Sequence, residues 1–330
     1  MQRRKFIALL VAAPAVWPVV SQAREPDRIR KVGVLWGQAH DPEWLERFAA
    51  FTQQLQKLGW TEGKNISFEI RHAAGKPDQF PAIATELVEA NPDVILAGTA
   101  GLAAIARKAT NTIPIVVVNA GELEGTGLIA SLRRPGGNVT GTQILSPELM
   151  SKRVEILKQL VPALTRLGIL EPITPAGITT PHYIEVLDDA ARSLQIRIHR
   201  VAVFSPAEFT AAFSTFVQEG DQAALVISNP LSFANRAELA RAAAQSRLPT
   251  IYEVRSFAAA GGLISYGPDF VQLARDSASY VDEILRGTAP GELPVQQPTK
   301  FELVVNLKAA KALGLTLPES FLLRADEVID

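Results

Sequence analysis

Cysteine is absent from this chain. No disulfide framework is available, and no thiol is present to carry a lipid near the amino terminus, so the mature chain is expected to diffuse freely. Histidine is scarce too: His40, His72, His182 and His199 are the whole complement. None stands four residues from another and no carboxylate cluster completes a ligand set, so neither a metal nor a cofactor is expected. His199 falls in a strand-like stretch, and His40 in a loop where a ligand would reach it. There is no Gly-x-Ser-x-Gly elbow to raise a nucleophile and no Gly-x-x-x-x-Gly-Lys loop to cradle phosphate. Nor does one sign of charge dominate: 33 basic and 34 acidic residues give a formal net charge of −1. Without a basic excess, nucleic acid and anionic membrane surfaces are not expected partners.

What is present begins at the amino terminus. Arg3-Arg4-Lys5 precede an apolar run, Phe6 to Val20, and Ser21-Gln22-Ala23 supply the small residues of a cleavage site. The run is roughly fifteen residues, short of the ~20 that a spanning helix needs. Residues 1–23 are therefore expected to be a removable signal peptide. The paired arginines point to the twin-arginine address, with an ordinary Sec signal as the alternative. Removing three positive charges takes the formal net charge from −1 to −4. About 300 residues remain, enough for two lobes rather than one core. An exported chain with no lipid anchor is expected in a periplasm, as a monomer.

The body alternates β-branched runs with helical ones. Strands are expected at Val32–Trp36, Asn65–Ile70, Asp93–Ala97, Pro114–Val118, Arg166–Leu170, Ile196–Val201, Ala223–Ile227 and Pro249–Tyr252. Most are continuous apolar runs, as in parallel strands covered on both faces. Between them, Trp44, Phe48, Phe51, Leu55 and Leu58 recur at helical spacing and stop at Gly59, and Phe80, Ile83, Leu87 and Val88 do so before Asn91-Pro92. Strand–helix–strand in series means right-handed crossovers and an α/β sheet. The pattern repeats at larger scale: Asp93–Gly98 leads through a helix to Thr112-Ile-Pro-Ile-Val116, and Ala223–Ser228 through a helix to Arg247-Leu-Pro-Thr-Ile251. Proline ends each helix and starts extended chain. Two similar α/β lobes are the simplest reading, with Gly136-Gly137-Asn138 as a tight turn between them.

Parallel α/β sheets bind ligands at the carboxyl ends of their strands. In the first half that places Trp36-Gly37-Gln38, Gly98-Thr99-Ala100 and Asn119 to Glu122 at the site; in the second, Glu171, Ser228-Asn229 and Tyr252-Glu253. The amides after Gly98, with Thr99, are suited to a carboxylate at a helix start. Glu122 or Glu253 is suited to an ammonium group, and Trp36 or Tyr252 to stacking on an apolar side chain. Gly125-Thr-Gly127-Leu-Ile-Ala130 matches a relaxed dinucleotide fingerprint with Glu148 beyond it. Asn119 to Glu124 separate it from its strand, so it reads better as a glycine loop entering a helix.

Three long stretches carry a more specific signal: Leu128-Ile-Ala-Ser-Leu-Arg-Arg-Pro-Gly-Gly-Asn-Val-Thr-Gly141, Ile251 to Gly267, and Pro294-Val-Gln-Gln-Pro-Thr-Lys-Phe-Glu-Leu-Val-Val-Asn-Leu-Lys308 continuing to Leu315, with Arg324 to Ile329. They resemble the ABC-transporter substrate-binding proteins whose members include tryptophan- and tyrosine-binding ones, and the resemblance covers nearly the whole mature chain. It implies two Rossmann-like lobes joined by a three-crossing hinge, the type I periplasmic binding protein fold. Crossings are then expected near Thr140, Ser265 and Pro294, with lobe 1 at 30–140 plus 266–291 and lobe 2 at 141–265 plus 292–330. The chain departs from the usual pattern at Gly37-Gln38-Ala39-His40-Asp41 and at Glu171 to Pro181, both on the ligand side.

The resemblance implies a periplasmic solute-binding component of an ABC importer, not an enzyme. It would close on a small ligand, an amino acid or related small carboxylate, and deliver it to an inner-membrane permease. Two alternatives are a sensing protein feeding a sensor kinase or chemoreceptor, and an exported nucleotide-dependent enzyme using Gly125 to Ala130.

Overall fold

A computed structural model describes residues 28–37, 42–72, 77–121, 123–124, 126–144, 147–173 and 181–330. The expected signal peptide and His40 lie outside the described residues. Five parallel strands form one sheet in the order β2-β1-β3-β4-β5: β1 (Arg30–Trp36), β2 (Ile66–His72), β3 (Val94–Ala97), β4 (Ile115–Ala120) and β5 (Val139–Gln143). Seven form another, β12-β11-β10-β9-β8-β6-β7: β6 (Arg166–Pro172), β7 (Arg197–Val203), β8 (Ala223–Val226), β9 (Thr250–Tyr252), β10 (Ile264–Pro268), β11 (Phe301–Asn306) and β12 (Glu327–Ile329). In the second sheet only β11 runs antiparallel to its neighbour β10.

Each sheet is packed on both faces. On one face of the first, Val32, Val34, Leu96, Val116 and Val118 meet Phe51 and Leu55 of the Pro42–Lys57 helix. On the other, Ile95, Ile115 and Val117 meet Leu87, Leu102 and Ala106. That double burial explains why these strands read as unbroken apolar runs. The first helix ends where Gly59 takes φ of 99° and Trp60 N–H reaches back to the Leu55 carbonyl at 2.9 Å.

All eight strands expected from apolar runs are present. Four others, β5, β10, β11 and β12, are not among them. β5 reads Val-Thr-Gly-Thr-Gln, yet all five residues are buried. Thr140 Oγ1 donates to the Leu293 carbonyl at 2.7 Å, and Thr142 Oγ1 donates to the Val118 carbonyl. Their acceptors come from distant chain, so local hydropathy gives no signal. Gly136 (φ 74°) turns directly into β5 of the first sheet, so Gly136-Gly137-Asn138 is a turn within one sheet rather than between lobes.

The Phe270–Leu285 helix follows β10 of the second sheet but packs on the first, burying Ala274, Ala278, Val281 and Ile284 against it. Trp60 Nε1 donates to Asp282 Oδ1 of that helix at 2.7 Å. The chain thus passes between the sheets three times: after β5, after β10 and before β11. The passages are tied together. Gln143 N–H donates to the Gln296 carbonyl at 2.9 Å, Gln296 N–H to the Gly141 carbonyl at 3.1 Å, and Lys300 Nζ pairs with Asp269 Oδ2 at 2.8 Å.

Beside that last pair, Glu302 stands opposite Gly267 in the β10–β11 ladder. Burial, then the Asp269 carboxylate, pushes its carboxyl up to about 7, against the pull of Arg255 and Lys300. A carboxyl raised in the native state holds a proton there that the unfolded chain releases. Its contribution is therefore most favourable below the ordinary carboxylate range and is lost as pH rises to about 7. Glu302→Gln is expected to flatten the fall in urea midpoint between pH 5 and 7, and an unchanged slope would assign that fall to other groups.

Candidate functional site

The carboxyl ends of the two sheets face each other. After β1, the Pro42–Lys57 helix sets Arg47 with its guanidinium carbon 5.7 Å from the ring centroid of Phe233, which lies in the Pro230–Ala234 helix after β8. Glu43 Oε1 lies 3.5 Å from Arg236 Nε in the Arg236–Gln245 helix. A cleft therefore opens between the strand ends that the sequence marked.

Its first wall is aromatic. Trp36 ends β1 half-buried, and its indole lies directly on Gly98, where a Cβ would come within 2.8 Å of the ring. Any side chain at position 98 would lift the indole. Trp36 and Trp44 have ring centroids 6.5 Å apart, and Trp44 stacks on Phe48 at 5.1 Å. With Arg47, Phe51, Leu96, Val118 and Ala274 they line a small apolar cavity. The Trp44 Nε1 donor is buried with no acceptor among the described residues. Beside this wall, exposed Thr99 caps the Ala100–Ala109 helix, its Oγ1 accepting from Leu102 N at 3.3 Å. The hydroxyl hydrogen remains a donor. Ala100 is half-buried at the helix start, and Gly37 has open space around it. Asn119, in β4, has a buried Oδ1 with no donor among the described residues. Gln38 and Glu122 lie outside the described residues.

The second wall is polar and internally paired. Arg153, 4% exposed on the Pro147–Leu160 helix, donates Nη1 to Glu253 Oε1 at 2.9 Å and Nε to the Tyr266 carbonyl at 2.7 Å. Ser228 N–H donates to the other Glu253 oxygen at 2.9 Å, while Ser228 Oγ is buried without a partner among the described residues. Glu253 was expected to await an ammonium group; it is instead committed to a guanidinium. Asn229 is committed too: Oδ1 accepts from Ser232 N at 3.0 Å in a capping box, and Nδ2 donates to the Pro172 carbonyl at 2.5 Å. It joins the end of β6 to the loop after β8. Glu171, 8% exposed, lies 3.2 Å from Arg200 Nε, and burial pushes its carboxyl up against the opposing pull of that arginine.

Tyr252 overturns its expectation. The ring is fully buried, stacked on Phe257 at 5.1 Å within the second sheet's core, and burial pushes its hydroxyl up. No face is left for a ligand. The glycine loop at Gly127 is likewise corrected: Gly127 takes φ of 75° in a turn, no helix follows among residues 126–138, and Gly125 lies outside the described residues. Without a helix start there, a pyrophosphate has no row of amides. Arg47, Trp44, Arg153, Phe233 and Arg236 went unmarked in the sequence. Trp44 and Phe48 were visible only as a helical stripe, and the arginines had no local signal.

The profile described as "ABC transporter substrate binding protein" matches residues 31–329. The chain belongs to that family. As a substrate-binding protein it has relatives of similar extent. A tyrosine-binding protein of Clostridioides difficile (strain R20291) is 26% identical over 266 residues, 80% of this chain and 75% of that one. A conserved domain protein from Vibrio cholerae is 29% identical with a TM-score of 0.83, covering 91% of this chain and all of that one, 100%. An ABC domain from Streptococcus pneumonia, solved in complex with L-Trp, is 23% identical with a TM-score of 0.82, covering 92% and 100%. With the two solved structures the substrate-binding protein shares the two-lobed, three-crossing type I periplasmic binding protein fold. Membership implies a small-molecule ligand and an ABC permease as partners, and a place outside the cytoplasm. Among the described residues no helix is long and apolar enough to cross a membrane.

Proposed function

We propose that this protein is the periplasmic solute-binding component of an ABC importer for an amino acid or related small carboxylate carrying an aromatic or large apolar group. The reading is carried by one observation: the indole of Trp36, paired with Trp44, lies on Gly98, directly before the start of the Ala100–Ala109 helix. The indole of Trp36 suits stacking on a ring, and the helix start with Thr99 suits a carboxylate. The names of the tyrosine-binding relative and the L-Trp complex point the same way. The Asn119 and Ser228 oxygens are unused polar groups near the strand ends.

Closure does the work, since differential contacts in the closed state shift an open–closed equilibrium. Reversing a mostly open population takes about 5.5 kcal/mol of differential binding, the yield of a few charge-assisted hydrogen bonds. No covalent step is invoked, and no nucleic acid. Lobe 1 comprises roughly 30–140 with 266–291 and lobe 2 roughly 141–265 with 292–330; the sheet edges favour moving the crossings to just after β5 (Gln143), just after β10 (Pro268) and the stretch between Gln296 and Lys300. The mature monomer would start after Ala23, exported through the twin-arginine route.

The test is a thermal-shift screen of the mature protein with L-tyrosine, L-tryptophan, other amino acids, small carboxylates and sugars. Ligand at a hundred times its Kd adds about 2.7 kcal/mol of stability. Gly98→Val, which displaces Trp36, is expected to abolish the shift and to alter tryptophan fluorescence while the protein stays folded. A shift with sugars alone, or an undiminished shift in Gly98→Val, would refute the aromatic-carboxylate reading.

A further inference from the structure

Arg47 belongs to two environments at once. Its side chain lines the cavity framed by Trp36 and Trp44, and its guanidinium reaches Phe233 on the other side of the cleft. It sits 4.5 Å from the ring centroid of Phe270, at the start of the crossing helix, and, across the cleft, 5.7 Å from that of Phe233. Arg236 approaches the same Phe233 ring at 5.4 Å and donates Nη1 to the Phe233 carbonyl at 3.0 Å. Phe233 is therefore contacted by two guanidinium groups, one from each wall. Glu43 connects the same two arginines: Oε2 accepts from Arg47 Nη2 at 2.7 Å, and Oε1 lies 3.5 Å from Arg236 Nε.

These groups are mostly shielded. Side-chain exposure is 11% for Arg47, 18% for Glu43 and 24% for Arg236. Shielded ion pairs and guanidinium–ring contacts are worth more than their solvated counterparts, because water competes less for the charge. The contacts between Glu43 or Arg47 and Phe233 or Arg236 exist only while the walls are close. Those of Glu43 with Arg47, and of Arg236 with Phe233, survive separation.

We infer that Glu43, Arg47, Phe233 and Arg236 form a clasp that holds the cleft closed, and that Arg47 is the positioning residue linking it to the aromatic cavity beneath. This deepens the solute-binding reading and rests on it: a ring stacked on Trp36 would bear on the aromatic wall that Arg47 also lines and favour the side-chain position that the clasp needs. The clasp also acts before any ligand arrives, by setting how often the empty protein closes.

The absence of cysteine permits a direct measurement. Spin labels at Glu86→Cys and Gln218→Cys, both exposed on outer helices of the two sheets, report the distance between the lobes without any ligand. In the ligand-free wild type, a population at the closed distance is expected. Arg236→Ala and Phe233→Leu, each away from the cavity, are expected to lower the closed-to-open ratio about fivefold. Glu43→Gln combined with Arg236→Ala should lower it by less than the product of the single effects, because both break one device. Circular dichroism of each variant checks that it folds. A wild type with no closed population, or variants with the wild-type distance distribution, overturns the clasp. A flat ligand screen with the expected distances would instead remove the ligand assignment and leave the clasp standing.

Discussion

Arg153→Met is expected to lower the unfolding free energy by about 3–5 kcal/mol, the cost of breaking a buried ion pair by removing one partner. Its guanidinium is 4% exposed and joins three pieces of chain: its own helix, Glu253 after β9 and the Tyr266 carbonyl in β10. Methionine fills similar volume but offers neither the charge nor the donors. Glu253 keeps the Ser228 amide but loses its counter-charge in a site only 14% exposed. The double variant Arg153→Met with Glu253→Gln should recover a large part of the loss, since a neutral amide costs far less to bury than a carboxylate. Urea unfolding of the two single variants and the double measures the coupling. Additive losses would show that the two side chains act separately, contrary to their 2.9 Å contact.

Gly141→Ala is expected to be at least as damaging, beyond about 4 kcal/mol, a range reached only when strain or a clash has no outlet. Gly141 lies in β5 with φ of 137°, a region that L side chains rarely adopt. An added Cβ would fall 2.1 Å from the Val117 carbonyl oxygen and 2.5 Å from the Val117 amide nitrogen, backbone atoms of a central strand. Relief requires β4 and β5 to separate, and β5 leads directly into the first passage between sheets. Gly137→Ala is the matched control: its Cβ meets nothing within 4 Å. We expect the control to express and unfold like wild type, and Gly141→Ala to yield little soluble protein or a much lower urea midpoint. Similar midpoints for the two would mean that β5 relaxes freely.

Much of the architecture is legible locally. Val32–Trp36, Asp93–Ala97 and Ala223–Ile227 announce buried parallel strands because both faces need apolar side chains. Proline at positions 114 and 249 marks strand starts because it cannot continue the helix before it. β5, in contrast, hides its burial, since its threonines are satisfied by carbonyls at Val118 and Leu293 that no window around residue 140 contains. The candidate site divides in the same way. The strand-end rule places Trp36, Gly98, Thr99 and Asn119 together, but it equally selects Tyr252, whose ring belongs to the core.

The sequence by itself determined the fold class, the family and the ends of the strands around which the cleft is built. Hydrophobic periodicity, turn residues and long family-like stretches are all written in contiguous chain. Only the tertiary structure decided which polar side chains are already spent and which face the cleft. Arg153 meets Glu253 across 100 residues. Arg47 meets Phe233 across two sheets. Gly98 matters because an indole from another strand lies on it. Charge and ring contacts fall off within a few ångströms, so their partners are fixed by packing, and packing is set by the whole chain at once.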